Sequence, residues 1–65
     1  MDKALLEYEM KKSNMSAEEL CKRMRISRSA FYRKCNGISE FTLTEIKQIV
    51  AILNIESPMA IFFAN

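Results

Sequence analysis

Residues 16–37, SAEELCKRMRISRSAFYRKCNG, decide how this chain is read. Ser16 stands three positions before Glu19, the spacing of a capping box in which hydroxyl and carboxylate each satisfy a backbone N–H at a helix start. A helix is therefore predicted from Ala17. Leu20, Cys21 and Met24 share one face of it, while Lys22 and Arg23 point outward. Ser27 offers a second cap, for the amide of Ser29 or Ala30, so the first helix has to end near Met24 and about three residues are left for a turn. Ile26 is the apolar pin of that turn, and Ala30, Phe31 and Cys35 form the inward face of the second helix. Asn36-Gly37 closes it, Gly37 being the only glycine in the chain and suited to the left-handed conformation that ends helices.

Charge singles out the same stretch. The 65-residue chain has a formal net charge of only +2. Residues 1–15 are balanced, with Asp2, Glu7 and Glu9 against Lys3, Lys11 and Lys12. Residues 16–37 set Lys22, Arg23, Arg25, Arg28, Arg33 and Lys34 against Glu18 and Glu19, a net +4, and residues 38–65 set Lys47 against Glu40, Glu45 and Glu56, a net −2. The positive field is focused on the two-helix segment. By itself that is also the signature of a solvated basic face. Joined to two capped helices and a short turn, it is the pattern of a helix-turn-helix, whose second helix enters the major groove of DNA.

Here the chain resembles the XRE/Cro-type helix-turn-helix family of bacterial and phage repressors, whose general pattern is S/T-Q-E-E-L-A-x-x-L-G-V-S-R-S-T-I-x-R-x-x-x-G. It matches at Ser16, Glu18, Glu19, Leu20, Ser27, Arg28, Ser29, Arg33 and Gly37, nine positions of twenty-two without a gap, and has apolar replacements at Met24, Ile26 and Phe31. The resemblance implies an all-α, compact five-helix lambda-repressor-like domain spanning residues 1–65. Three differences from relatives bear on what the resemblance carries over. Ala17 stands where relatives carry a Gln that braces the second helix or touches phosphate. Arg25 replaces the turn glycine, and a non-glycine residue at positive φ costs about 1 kcal/mol. Lys34 takes a commonly apolar position, which requires Cys35 to turn inward instead and the helix to rotate slightly.

The flanks read as support. A helix is expected from Lys3 to about Lys12, with Leu5, Leu6 and Met10 inward, Asn14 ending it and Met15 as a hydrophobic staple before Ser16. Thr42 and Glu45 form another capping box, ahead of an amphipathic helix carrying Leu43, Ile46, Ile49, Val50 and Leu53 and ending near Asn54. Ile38 and Phe41 are expected to anchor the loop before it. Ser57-Pro58 opens a short last helix, about 58–63, with Pro at the first helical position. That helix is apolar on every side and cannot bury all of Met59, Ile61, Phe62 and Phe63 within so small a domain. Homodimerisation through these residues hides the remainder, because one patch serves both subunits of a two-fold pair; the alternative is that the segment folds back as the last piece of core.

Composition bounds the function. Hydrophobic residues make up 49% with one Gly and one Pro, fitting one helical domain. No apolar run approaches membrane-spanning length and no signal-peptide pattern opens the chain, so a soluble, cytoplasmic protein is expected. Cys21 and Cys35 read as buried thiols of a reducing compartment. With no His, no phosphate-binding glycine loop and no cluster at metal spacing, neither enzyme, cofactor, metal nor small-molecule ligand is expected. Arg28, Ser29 and, one turn on, Tyr32 or Arg33 lie opposite Phe31 and Cys35 and are the candidates to reach base edges. The resemblance assigns base reading to the positions of Arg28, Ser29 and Arg33. Tyr32 is open between a DNA contact and cover for the helix flank. Phosphate contacts are expected at the helix start of Ser16 and Ala17, and from Asn36, Ser39 and Thr42, the last also needed as a cap. Lys22, Arg23 and Lys34 would add sequence-independent attraction. The reading is a transcriptional repressor of the Cro kind, phage or prophage by resemblance, binding a near-palindromic double-stranded DNA operator as a dimer. The rival is a protein-binding module, antitoxin-like or an antirepressor subunit, with a vestigial helix-turn-helix.

Overall fold

The computed structural model describes residues 1–63, which form five helices and no strand: α1 Lys3–Lys12, α2 Ala17–Met24, α3 Arg28–Cys35, α4 Leu43–Leu53 and α5 Pro58–Phe62. Side-chain caps set four of the starts. Asp2 accepts from the amide of Leu5, Ser16 from Glu19, Ser27 from Ala30 and Thr42 from Glu45. Only Thr42 closes a full box, its own amide donating to Glu45 Oε1 at 2.8 Å. The box read at Ser16 is half present: Glu19 Oε1 accepts instead from Arg23 Nε at 3.3 Å, one turn along the same helix. At α5, Pro58 occupies the first position and Ser57 makes no side-chain cap.

The first four helices end by one repeated device. Asn14, Arg25, Gly37 and Asn54 have φ of 53°, 59°, 78° and 54°, and the apolar residue after each, Met15, Ile26, Ile38 or Ile55, donates its amide to the carbonyl five residues back. This is the Schellman closure, in which a left-handed residue reverses the chain and a hydrophobic residue follows it onto the helix it leaves. Three of the four apolar followers do so. Met15 and Ile26 are half-buried against the core and Ile55 is buried within it, whereas Ile38 stands 73% exposed.

The core gathers Leu6 and Met10 of α1, Leu20, Cys21 and Met24 of α2, Phe31 and Cys35 of α3, Ile49 and Leu53 of α4, then Ile55 and Ile61. α2 lies against α3 and α4, and α5 against α1 and α4. Two bonds fasten the periphery: the amide of Asp2 donates to the carbonyl of Ile61 at 2.7 Å, and Ser13 Oγ donates to the carbonyl of Leu53 at 3.0 Å. Leu5, Leu43 and Ile38, expected inward, are exposed. Leu5 sits one position off the Leu6/Met10 stripe, and Leu43 occupies the first turn of α4 ahead of its contact with α2. Phe41 does anchor its loop, edge-on to Phe31 at 6.0 Å and to Phe62 at 5.7 Å.

The expected dimer patch divides accordingly. Ile61 is 3% exposed and closes the core, and Phe62 is half-buried against it. Met59 and Phe63 remain 68% and 55% exposed.

Candidate nucleic-acid interface

The second helix of the motif is anchored from one side. Phe31 and Cys35, one turn apart, are buried, with half-buried Ala30 beside them. Arg28, Ser29, Tyr32 and Arg33 are all exposed: Ser29 and Arg33 lie on the side opposite the buried pair, whereas Arg28, in the first turn, and Tyr32 flank it. The Ser27 cap, whose Oγ accepts from Ala30 at 3.0 Å, fixes where the helix starts, and so which residues occupy the exposed first turn. Among the described residues, Arg33 and Ser29 make no side-chain hydrogen bond or ion pair. Arg28 does. Its Nη2 donates to Tyr32 Oη at 3.0 Å, its guanidinium carbon lies 5.6 Å from the Tyr32 ring centroid, and its Nη1 is 3.9 Å from Glu18 Oε2. The Tyr32 hydroxyl first, and Glu18 further off, raise the guanidinium pKa above its ordinary range. With 53% of its side chain exposed it is tethered and still accessible.

The turn holds the two helices in register. Arg25 adopts the left-handed conformation (φ 59°, ψ 42°) that the missing glycine would take, and Ile26 is half-buried below it. At the start of α2 the Ser16 hydroxyl is occupied as an acceptor, and Ala17 is half-buried against the core. Any contact from Ala17 is thus through its amide, at the positive end of the helix dipole. Lys22 and Arg23 are exposed and paired within their helix, to Glu18 at 3.6 Å and Glu19 at 3.3 Å. Exposed pairs of this kind are worth under about 1 kcal/mol and exchange readily for a phosphate.

Lys34 is the clear departure from expectation. Its ammonium is turned toward α4, 2.8 Å from Glu45 Oε1 and 3.3 Å from the carbonyl of Glu40, with the Phe41 ring centroid at 5.9 Å. Both partners of the ion pair are only 16% exposed. It straps α3 to the start of α4. Burial pushes the Glu45 carboxyl up, but Lys34 and the Thr42 amide together outweigh this and hold its pKa below the ordinary glutamate range. Thr42 spends its amide and one hydroxyl lone pair on the same cap. Ser39 is exposed in the loop.

Asn36, at the far end of α3, accepts through Oδ1 from Lys3 Nζ at 3.0 Å. Lys3 is thereby brought from α1 to the reading helix, a cation that local sequence does not connect with it; no signal short of the tertiary fold could have revealed this. Cys21 and Cys35 are free and buried. Burial pushes both thiols up, Cys35 to about 11. Among the described residues no group of acids, Cys or His is disposed to hold a metal ion, and no helix is long and apolar enough to cross a membrane.

A family model described as a Cro/C1-type helix-turn-helix DNA-binding domain matches residues 6–58. Neither the curated proteins nor the solved structures yield a match.

Proposed function

Because the chain belongs to the Cro/C1-type helix-turn-helix DNA-binding family, we propose that it is a sequence-specific transcriptional repressor of phage or prophage kind, occupying a near-palindromic operator as a homodimer and excluding polymerase. The observation that carries this reading is the exposure of Arg28 in the first turn of α3 and of Arg33 on the side opposite buried Phe31 and Cys35. Arg28, Ser29 and Arg33 read base edges, and an arginine engaging guanine O6 and N7 discriminates by about 1 to 3 kcal/mol per base pair. The amides that open α2, with Ser16, Asn36, Ser39 and the Thr42 hydroxyl, set the register on phosphates. Lys22 and Arg23 add attraction that ignores sequence, and Lys3 joins them.

Met59 and Phe63 supply the dimer contact, leaving two reading helices to span half-sites roughly 34 Å apart. One module alone binds weakly at physiological salt; two bring affinity into the regulatory range. The Ser16 and Ser27 caps on the two helices of the motif and the exposed arginines favour this over a protein-binding module with a vestigial motif.

Selection of bound sites from random duplex DNA, followed by affinity measurement at about 50 and 200 mM salt, tests the reading. A two-fold symmetric consensus and a steep loss of affinity with salt are expected. Arg28→Ala should relax preference at one base position, and Lys22→Ala should weaken all duplexes alike while flattening the salt dependence. Recovery of no consensus, with binding indifferent to salt, would refute it.

A further inference from the structure

Three contacts converge on one exposed guanidinium. Tyr32, one helical turn beyond Arg28, accepts its Nη2–H at 3.0 Å and lies under its charge with the ring centroid at 5.6 Å, while Glu18 approaches Nη1 from α2 at 3.9 Å. Tyr32 is itself restrained: its ring meets that of buried Phe31 edge-on, at 5.9 Å and 66°. A chain of contacts thus runs from the core through Phe31 and Tyr32 to Arg28. Arginine has more rotamer freedom to lose on binding than almost any other side chain, and a side chain already held in place loses less. Only one of its five N–H donors is spent on Tyr32, so the paired acceptors of a guanine edge remain within its capacity. The Glu18 carboxylate is too far to hydrogen-bond and is itself exposed, so it biases the guanidinium without capturing it.

We infer that Tyr32 is a positioning residue for DNA recognition: it holds the Arg28 guanidinium in readiness for a guanine edge and does not read a base itself. The inference rests on Arg28 being a base reader, as proposed above. It predicts that the Tyr32 hydroxyl affects specificity only through Arg28.

Tyr32→Phe deletes the acceptor while keeping the ring and its edge contact with Phe31. The full chain, Tyr32→Phe, Arg28→Ala and the double variant are each titrated against the selected duplex and against its single-base-pair variants. Tyr32→Phe is expected to lower discrimination about three- to tenfold at the one base pair where Arg28→Ala abolishes it, and to change nothing further once Arg28 is absent. An unchanged Tyr32→Phe profile beside an altered Arg28→Ala profile overturns the positioning role alone. So does a loss at a different base pair, or one of equal size in the Arg28→Ala background, since Tyr32 would then be reading on its own account. If Arg28→Ala leaves every preference intact, the assignment of Arg28 as reader fails and the positioning role falls with it. A second measurement needs no DNA: the NMR order parameter of the Arg28 guanidinium should drop in Tyr32→Phe, and an unchanged value overturns the inference.

Discussion

The strap between Lys34 and Glu45 gives the most searching test of the fold, because it is also where expectation and structure part. The pair is 2.8 Å long and 16% exposed on each side, and Lys34 Nζ has a further acceptor in the carbonyl of Glu40. Hydrogen bonds to charged groups contribute about 1.5–3 kcal/mol when sheltered, and fully exposed pairs less than about 1; a coupling of about 1 to 2 kcal/mol is expected here. Lys34→Met removes the charge but returns apolar surface to Phe41, so its net cost at neutral pH should be about 1 kcal/mol, a fall in melting temperature of about 4–8 °C for a domain of this size. Glu45→Gln retains an acceptor for the Thr42 amide and removes only the charge. Urea unfolding of both variants and of the double variant isolates the coupling. The sign with pH follows from Glu45, whose folded pKa is depressed. Its contribution is fully present above the unfolded value of about 4.3 and is lost as pH falls through the folded value. The advantage of the native chain over Lys34→Met should therefore shrink as pH falls from about 7 through the folded value. A gap independent of pH, or a coupling below about 0.3 kcal/mol, would show that the strap does not form. In that event Lys34 is free for phosphate, and Lys34→Met would reduce the salt dependence of DNA binding instead.

Arg25 holds a conformation that glycine adopts freely, at a cost of about 1 kcal/mol. Arg25→Gly should raise the urea midpoint, by less than that full amount because glycine also gains freedom when unfolded; a lower midpoint contradicts the strain argument. With its thiol at about 11 and buried, Cys35 should react with iodoacetamide orders of magnitude more slowly in the native chain than in urea, and comparable rates would mean that the α1–α3 contact opens readily. Met59→Lys together with Phe63→Ser should leave the melting temperature within a few degrees and convert a dimer to a monomer in sedimentation equilibrium. A dimer that persists places the interface elsewhere. Lys3→Ala should weaken binding to every duplex equally and lower the salt slope by about 1, and any change in base preference would contradict a phosphate role.

Helix starts were legible because caps are local. Ser16, Ser27 and Thr42 each announce a helix within three residues, and the structure begins those helices where the caps require. The helix ends near Asn14, Met24, Gly37 and Asn54 were legible too, though only Gly37 announced the left-handed closure by its residue type. Asn14, Arg25 and Asn54 end helices by the same left-handed closure, and the signal in each case is the apolar residue that follows, which is how buried Ile55 escaped notice. Which apolar residues face inward was less well determined. Leu5 and Leu6 are adjacent and only tertiary packing decides between them; α5 is too short to show a stripe, so its division into buried Ile61 and exposed Met59 depended on its packing against α1 and α4. At the candidate site, the exposed side of α3 followed from Phe31 and Cys35. The fate of Lys34 and the arrival of Lys3 did not, since each depends on a residue from another helix.

Those two exchanges bear on affinity. The segment charge of +4 counts Lys34, whose field Glu45 neutralises from outside the segment, and omits Lys3, which the fold adds to it. The cations left on or near the reading helix fall into two kinds. Lys22 and Arg23 already have carboxylate partners, so a phosphate must displace Glu18 or Glu19, and their contribution is the small difference between two exposed pairings. Arg33 makes no such pairing among the described residues and gives its attraction undiminished. Non-specific DNA offers phosphate to both kinds. Arg28 can keep its bond to Tyr32 and still offer its remaining N–H donors to a base edge, so on the proposed function the Lys22 and Arg23 pairs weaken sequence-independent attraction and leave base reading untouched. On the proposed function such a reading head is selective and weak, the circumstance in which a second copy, joined as proposed through Met59 and Phe63, would contribute most.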